Sequence, residues 1–151
     1  MKNPLYKIYL DNCCYNRPFD DQSQMKIHLE TVAKLHIQSQ IKKGEYFLVW
    51  SYIMDYENSL NPYKDKCLAI MPWRNIAYQN IECENESILN FAERLAPMGI
   101  RTFDALHIAC AVYAKCDFYI TVDRKLLNKS VDDIKIINPI DFIIETEKNL
   151  L

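Results

Sequence analysis

The sequence predicts an α/β fold: one domain with a central parallel sheet of four to five strands flanked by helices. Three observations predict it. Short runs rich in β-branched and aromatic residues, such as Tyr46 to Trp50 and Phe118 to Val122, suit buried strands. Between such runs lie longer segments whose apolar residues return at helical spacing. One helical segment, Phe103 to Ala114, is apolar on almost every face, so it belongs between other elements rather than on a surface. Buried strands alternating with helices pair in parallel and are covered on both sides.

Leu5 to Leu10 alternates and then turns apolar, a first strand that ends in Asp11-Asn12. Asn16 and Pro18 make Cys13 to Phe19 a loop. Asp21 and Gln24 have the spacing of a capping box, after which Met25, Leu29, Ala33, Ile37 and Ile41 recur at helical spacing with Val32 beside them. Lys42-Lys43-Gly44 closes that helix, with cations on the last turn and a glycine for the left-handed cap. Tyr46 to Trp50 is the second strand, and Ser51 caps a helix carrying Asp55 and Glu57. Asn61-Pro62 restarts a helix that Pro72 stops. Ile76 to Ile81 holds a short third strand, and Ile88, Phe91, Ala92 and Leu95 mark a helix ended by Pro97 and Gly99. After the apolar helix and its strand come a short helix from Arg124, a strand at Ile134 to Ile137, and a last helix opened by Asn138-Pro139. No repeat, linker or low-complexity tract divides residues 1–151, which read as a single domain.

Composition narrows the function classes. No apolar run approaches a membrane span, and the start lacks the pattern of a signal peptide, so the expected place is the cytoplasm, with no membrane partner. The six cysteines contain no C-x-x-C pair, which disfavours zinc, and a chain of this size needs no staples, so reduced thiols are expected. Net charge is −2, whereas proteins that coat long nucleic acids show a strong basic excess. Any nucleic-acid contact should therefore be local and selective. With two glycines in the chain there is no loop to cradle a nucleotide's phosphates.

The acids carry the chemistry. In parallel sheets ligands bind beyond the carboxyl ends of the strands, where strand order reverses. Asp11 ends the first strand and Asp123 the strand after the apolar helix; if those strands are neighbours, both acids face one crevice. Glu57 opens at the same edge, with Asp55 a competitor for its place. Asp104 lies in the first turn of the helix leading into its own strand, and joins the others only if that helix tilts into the crevice. Singly, each acid also has a structural reading: Asp11 begins a loop, Asp123 caps the helix from Arg124, Asp104 complements a helix dipole. Gathered together, four carboxylates repel and resist ionisation. Their convergence calls for a divalent cation, and all-oxygen donors favour Mg²⁺ or Mn²⁺. His28 and His36 read as helix-surface residues, and His107 as a histidine satisfied within the packing.

Asp11 after a strand, Ser51 to Glu57, the Asp104-Ala105-Leu106-His107-Ile108-Ala109 run and Thr121-Val122-Asp123 together resemble the PIN-domain ribonucleases. The resemblance implies a parallel sheet whose first and fourth strands are neighbours at the reversal. It implies that Asp11, Glu57, Asp104 and Asp123 hold Mg²⁺ or Mn²⁺ and hydrolyse RNA phosphodiester bonds, with Thr121 as the hydroxyl residue near the last acid. Bacterial members include VapC-type toxins, so the expected partners are RNA and, for a toxin, an antitoxin protein; a homodimer stays open. Arg17, Arg101 and Arg124, near these acids in sequence, are candidates to hold the RNA backbone. The alternative is a PIN-like fold kept as a catalytically silent module that binds RNA or protein.

Overall fold

The computed structural model describes residues 5–147. Among them a single all-parallel sheet is built from β1 (Tyr6–Leu10), β2 (Tyr46–Ser51), β3 (Gln79–Ile81), β4 (Phe118–Ile120) and β5 (Lys135–Ile137). The spatial order is β3-β2-β1-β4-β5, so the sheet reverses at β1, with β2 on one side and β4 on the other. Leu10 pairs with Ile120, and the ladder runs one bond further, from Asp11 N–H to the Ile120 carbonyl at 2.9 Å. Asp11 and Thr121 therefore leave the sheet side by side. Ile8 to Leu10 and all of β4 are buried, as helices on both faces require.

The helices are α1 (Asn12–Asn16), α2 (Met25–Lys42), α3 (Tyr52–Ser59), α4 (Lys64–Ile70), α5 (Pro72–Ile76), α6 (Glu86–Leu95), α7 (Thr102–Tyr113), α8 (Arg124–Leu127) and α9 (Pro139–Thr146). Helix α2 packs on α9, and α6 on α7. The small residues Ala105, Ala109, Cys110 and Ala111 bury α7 against β2 and β4. Caps hold where the sequence places them, Ser51 Oγ accepting from Met54 N–H and Asn138 Oδ1 from Ile140 N–H, and a further one appears where Asn85 Oδ1 accepts from Ile88 N–H. Gly44 and Gly99 take the left-handed conformation, at φ 79° and 78°, as helix-ending glycines do. No described helix is long and apolar enough to cross a membrane. All six cysteines are free; Cys14, Cys110 and Cys116 are buried and Cys83 is exposed.

Local chemistry corrects four expectations. Cys13 to Phe19 is not a loop: Asn16 Nδ2 donates to the Asn12 carbonyl at 3.0 Å and closes α1, and Pro18 sits in the 3₁₀ turn Arg17–Phe19 near its start, where no N–H is needed. Asp21 makes no capping box; its Oδ1 takes Ser23 N–H and Oγ–H, a tight turn ahead of α2. Asn61 likewise spends its Oδ1 on Tyr63 N–H, so α4 opens at Lys64, and Pro72 opens α5 as well as ending what precedes it. Along α2, Ala33, Ile37 and Ile41 are buried but Met25, Leu29 and Val32 are exposed. Polar groups hold part of the inner face instead: buried Glu30 meets Arg17 at 3.2 Å and accepts from Asn138 Nδ2 at 3.1 Å.

Lys34, on that same face, is 5% exposed, with its ammonium 5.8 Å from the centre of the Tyr15 ring. Burial pushes its pKa down to about 8, against a smaller opposing pull from Cys14. Between that value and the free-lysine value near 10.4 the unfolded chain binds more protons than the native one, so this group's penalty is full below pH 8 and fades as pH rises. Lys34→Met should therefore stabilise the protein at pH 7, by up to about 3 kcal/mol, the free-energy equivalent of the displacement. The advantage should be gone near pH 10.5. Denaturant melts of both proteins at the two pH values check this, and equal stabilities at pH 7 would show the ammonium to be fully hydrated.

Candidate active site

The carboxyl ends of β1 and β4 open into a crevice of about 430 Å³ whose lining includes Asp11, Glu57, Asp104 and Asp123. Asp11 follows β1, Glu57 lies in the second turn of α3, Asp104 in the first turn of α7, and Asp123 at the N-cap of α8. The tilt expected of α7 is unnecessary. Its far end lies at the amino edge of the sheet, where the Ala114 carbonyl accepts from Lys7 Nζ at 2.9 Å. The helix thus runs opposite to the strands, and its first turn falls at their carboxyl edge. Asp55 does not compete with Glu57: its Oδ1 accepts from Trp50 Nε1 at 2.8 Å and its Oδ2 faces Arg74 at 3.3 Å.

Each acid has a distinct environment. Asp11 is 5% exposed, and its Oδ2 accepts from Thr121 Oγ1 at 2.9 Å. The same Thr121 oxygen accepts from Asp123 N–H at 3.1 Å, so one hydroxyl ties two of the acids together. Burial raises the pKa of Asp104, and the neighbouring charges of Asp11 and Asp123 push the same way against the pull of Arg101. For Glu57 burial also pushes up, but His107 Nε2 at 2.8 Å and Asn12 Nδ2 at 3.2 Å outweigh it and hold the carboxyl below its usual range. Asp123 does two things at once. Its Oδ1 caps α8 through Lys125 and Leu126 N–H at 2.8 and 3.4 Å, while its Oδ2 faces Arg101 at 3.5 Å.

The arginines separate. Arg101 spans Asp104 and Asp123 at 3.4 and 3.5 Å; at 74% exposed it is screened and holds them weakly. Arg124 is exposed at the start of α8. Arg17 is committed elsewhere, to Asp20 at 2.9 Å and Glu30, and does not line the crevice.

His107 is fully buried, as expected of a packed histidine, yet it reaches the site. Its Nδ1 lies 2.6 Å from Tyr9 Oη, which lies 2.6 Å from Ser51 Oγ. With the ring proton on Nε2 the chain has one consistent direction: Ser51 donates to Tyr9, Tyr9 to Nδ1, and Nε2–H to Glu57. Burial lifts the Tyr9 pKa well above its usual value, so the phenol keeps the proton this chain requires. In sequence, the available signal for His107 is its position one turn after Asp104. Tyr9 and Asn12 gave none, because their partners depend on how the strands and α3 are juxtaposed.

Among the described residues no group of three or more His, Cys, Asp or Glu side chains is arranged as a ready coordination sphere. The donor chemistry nevertheless fits a hard dication. Asp11 is a buried carboxylate whose side-chain hydrogen bond comes from a neutral hydroxyl, Asp104 is opposed by two other acids, and all four donors are oxygens. Cys13 also lines the crevice, but its bond with Cys14, burial and Asp11 push its thiol pKa well up, leaving it protonated beside them. A second hollow, about 510 Å³ near the start of β4, has a mixed charged lining of Asp117, Asp132 and Asp133 against Lys129 and Lys135. No protein-family profile matches the chain, and no curated protein matches its sequence.

The strain among the carboxylates is directly measurable. A raised pKa means that Asp104 is destabilising as an anion, a penalty present at pH 7 and relieved as pH falls through its titration. Asp104→Asn should thus leave metal-free protein at least as stable as wild type at pH 7, with any advantage shrinking towards pH 4. Urea melts in chelator at both pH values test it. A loss of about 0.3–1 kcal/mol at pH 7 would mark Asp104 as a helix-dipole partner instead.

Proposed function

We propose that the protein is a metal-dependent endoribonuclease with a PIN-like fold, hydrolysing RNA phosphodiester bonds in the crevice at the carboxyl edge of β1 and β4. The observation that carries this reading is the meeting of Asp11, Glu57, Asp104 and Asp123 at the point where strand order reverses. Asp11, Asp104 and Asp123 would hold Mg²⁺ or Mn²⁺, with Glu57 beside them. A dication there lowers the pKa of a bound water and offsets charge on the phosphate and the leaving oxygen.

The chain's own residues supply the rest. Thr121 fixes Asp11 through its hydroxyl and Asp123 through the backbone. His107 and Asn12 keep Glu57 ionised and oriented, which suits it to position the attacking water by accepting a hydrogen bond from it. Arg101, exposed and only weakly held by the two aspartates it spans, would offer its guanidinium fork to a phosphate. The overall charge of −2 gives no long-range attraction for RNA, so these local contacts must supply it. The reading places the protein in the cytoplasm. A VapC-like toxin with an antitoxin partner is its more specific form.

A catalytically silent binding module is the second reading, favoured by Arg101, which already bridges Asp104 and Asp123. Mn²⁺ separates the two. A site that binds only the native state gains about 2.7 kcal/mol of stability at a hundred times its Kd. Wild type should melt higher in millimolar Mn²⁺ and cleave a mixed pool of short RNAs, and Asp11→Asn should lose both responses. Unchanged melting and intact RNA would favour the silent module.

Glu57 and Asp55 give a second, independent check. Misplacing the attacking water costs about 10²-fold in rate, so Glu57→Gln should cut cleavage by roughly that much. Asp55→Asn, which loses only Trp50 and Arg74, should cleave at close to the wild-type rate. The opposite pattern in single-turnover assays would reverse the assignment.

A further inference from the structure

Adjoining the acidic crevice is another hollow, of about 460 Å³, lined by residues of α1, the end of α3 and the turn into α4. The two share Asn12, Asn16, Glu57 and Phe103, so they form one continuous groove. Its lining is unlike the crevice. Tyr63 is 62% exposed and Phe103 is also exposed, so two aromatic rings stand on the wall of one groove. Lys66 lies with its ammonium 4.4 Å from the centre of the Tyr63 ring, and among the described residues it pairs with no carboxylate. Asn12 Oδ1, between the two hollows, is buried without a protein donor.

These features match one kind of ligand. Single-stranded nucleic acid is held by aromatic faces on which unstacked bases lie, with cations tracking the backbone. Stacking serves where net charge cannot, since every base has a π-face whatever the salt. A duplex, whose bases are already stacked, could use none of this.

We propose that this hollow is a nucleobase subsite for single-stranded RNA. A nucleotide next to the scissile phosphate places its base against Tyr63 and Phe103 and sets its phosphate near Lys66. The proposal rests on the ribonuclease reading, because it takes the acidic crevice as the place of the scissile bond.

The experiment uses the whole protein in chelator, with a fluorescent mixed-sequence RNA hexamer and its duplex as probes, followed by Mn²⁺-started cleavage of the single strand. Wild type should bind the single strand in preference to the duplex. Tyr63→Ala should weaken that binding roughly 5- to 100-fold, the range for losing one stacked base, and raise KM for cleavage far more than it lowers kcat. Tyr63→Trp should restore both, which lost stability alone would not allow. Tyr63→Ala with unchanged affinity and unchanged KM would overturn the subsite while leaving the nuclease reading intact. Tyr63-dependent binding without Mn²⁺-dependent cleavage would keep the subsite and sink the nuclease reading. No binding of the single strand by wild type would also overturn the subsite and make the exposed rings a protein-docking surface.

Discussion

Everything at the site depends on β1 pairing with β2 on one edge and β4 on the other. A parallel strand cannot reach its neighbour by a tight turn, so each connection crosses a face of the sheet as a helix. At β1 the connections part to opposite sides, which leaves a crevice at the strand ends between them. Asp11 is the first residue past that point. The bond from its backbone to Ile120 fixes its distance from Thr121 and hence from Asp123. Helix α7, running back against the strands, brings Asp104 to the same edge, and α3 brings Glu57.

The core is polar where this arrangement requires it. Tyr9 and Ser51 occupy buried strand positions where a sequence selected only for stability would place hydrocarbon, because a buried hydroxyl is costly unless paired. Their pairing is complete only because His107 closes one end and the α3 N-cap the other. Such a chain ties Glu57, half-buried in the wall of the crevice, to the packed interior. The opposite holds for Arg101, which is anchored by nothing but the acids it spans. The crevice therefore has one rigid wall, through Glu57, Asp11 and Thr121, and one loosely held wall at Arg101.

Much of the fold was legible in the residues. The buried runs at Tyr46 and Phe118, the nearly all-apolar helix and the Ser51 and Asn138 caps each carry a local signal that tertiary packing did not override. Boundaries near Asn and Asp were less legible, since those side chains satisfy backbone groups in several ways: Asn16 closed a helix, while Asp21 and Asn61 made turns before one. The exposed row Met25, Leu29 and Val32 shows that periodicity gives spacing without saying which face is buried. The acids were legible as positions along the chain. The direction of α7 and the use of His107 and Asn12 were not, because they follow from the relative placement of elements distant in sequence.

Asp123 and Asp104 stand on different footings. Asp123 both caps α8 and faces the crevice, so a chain that lost it would surrender a helix end together with an acid. Asp104 is opposed by its acidic neighbours, and its loss should cost the fold nothing. Selection for stability alone would retain the first and discard the second. In a lineage released from any need for the crevice, Asp104 should be the first of the acids to drift and Asp123 among the last. An aspartate persisting at position 104 is then a sign of use.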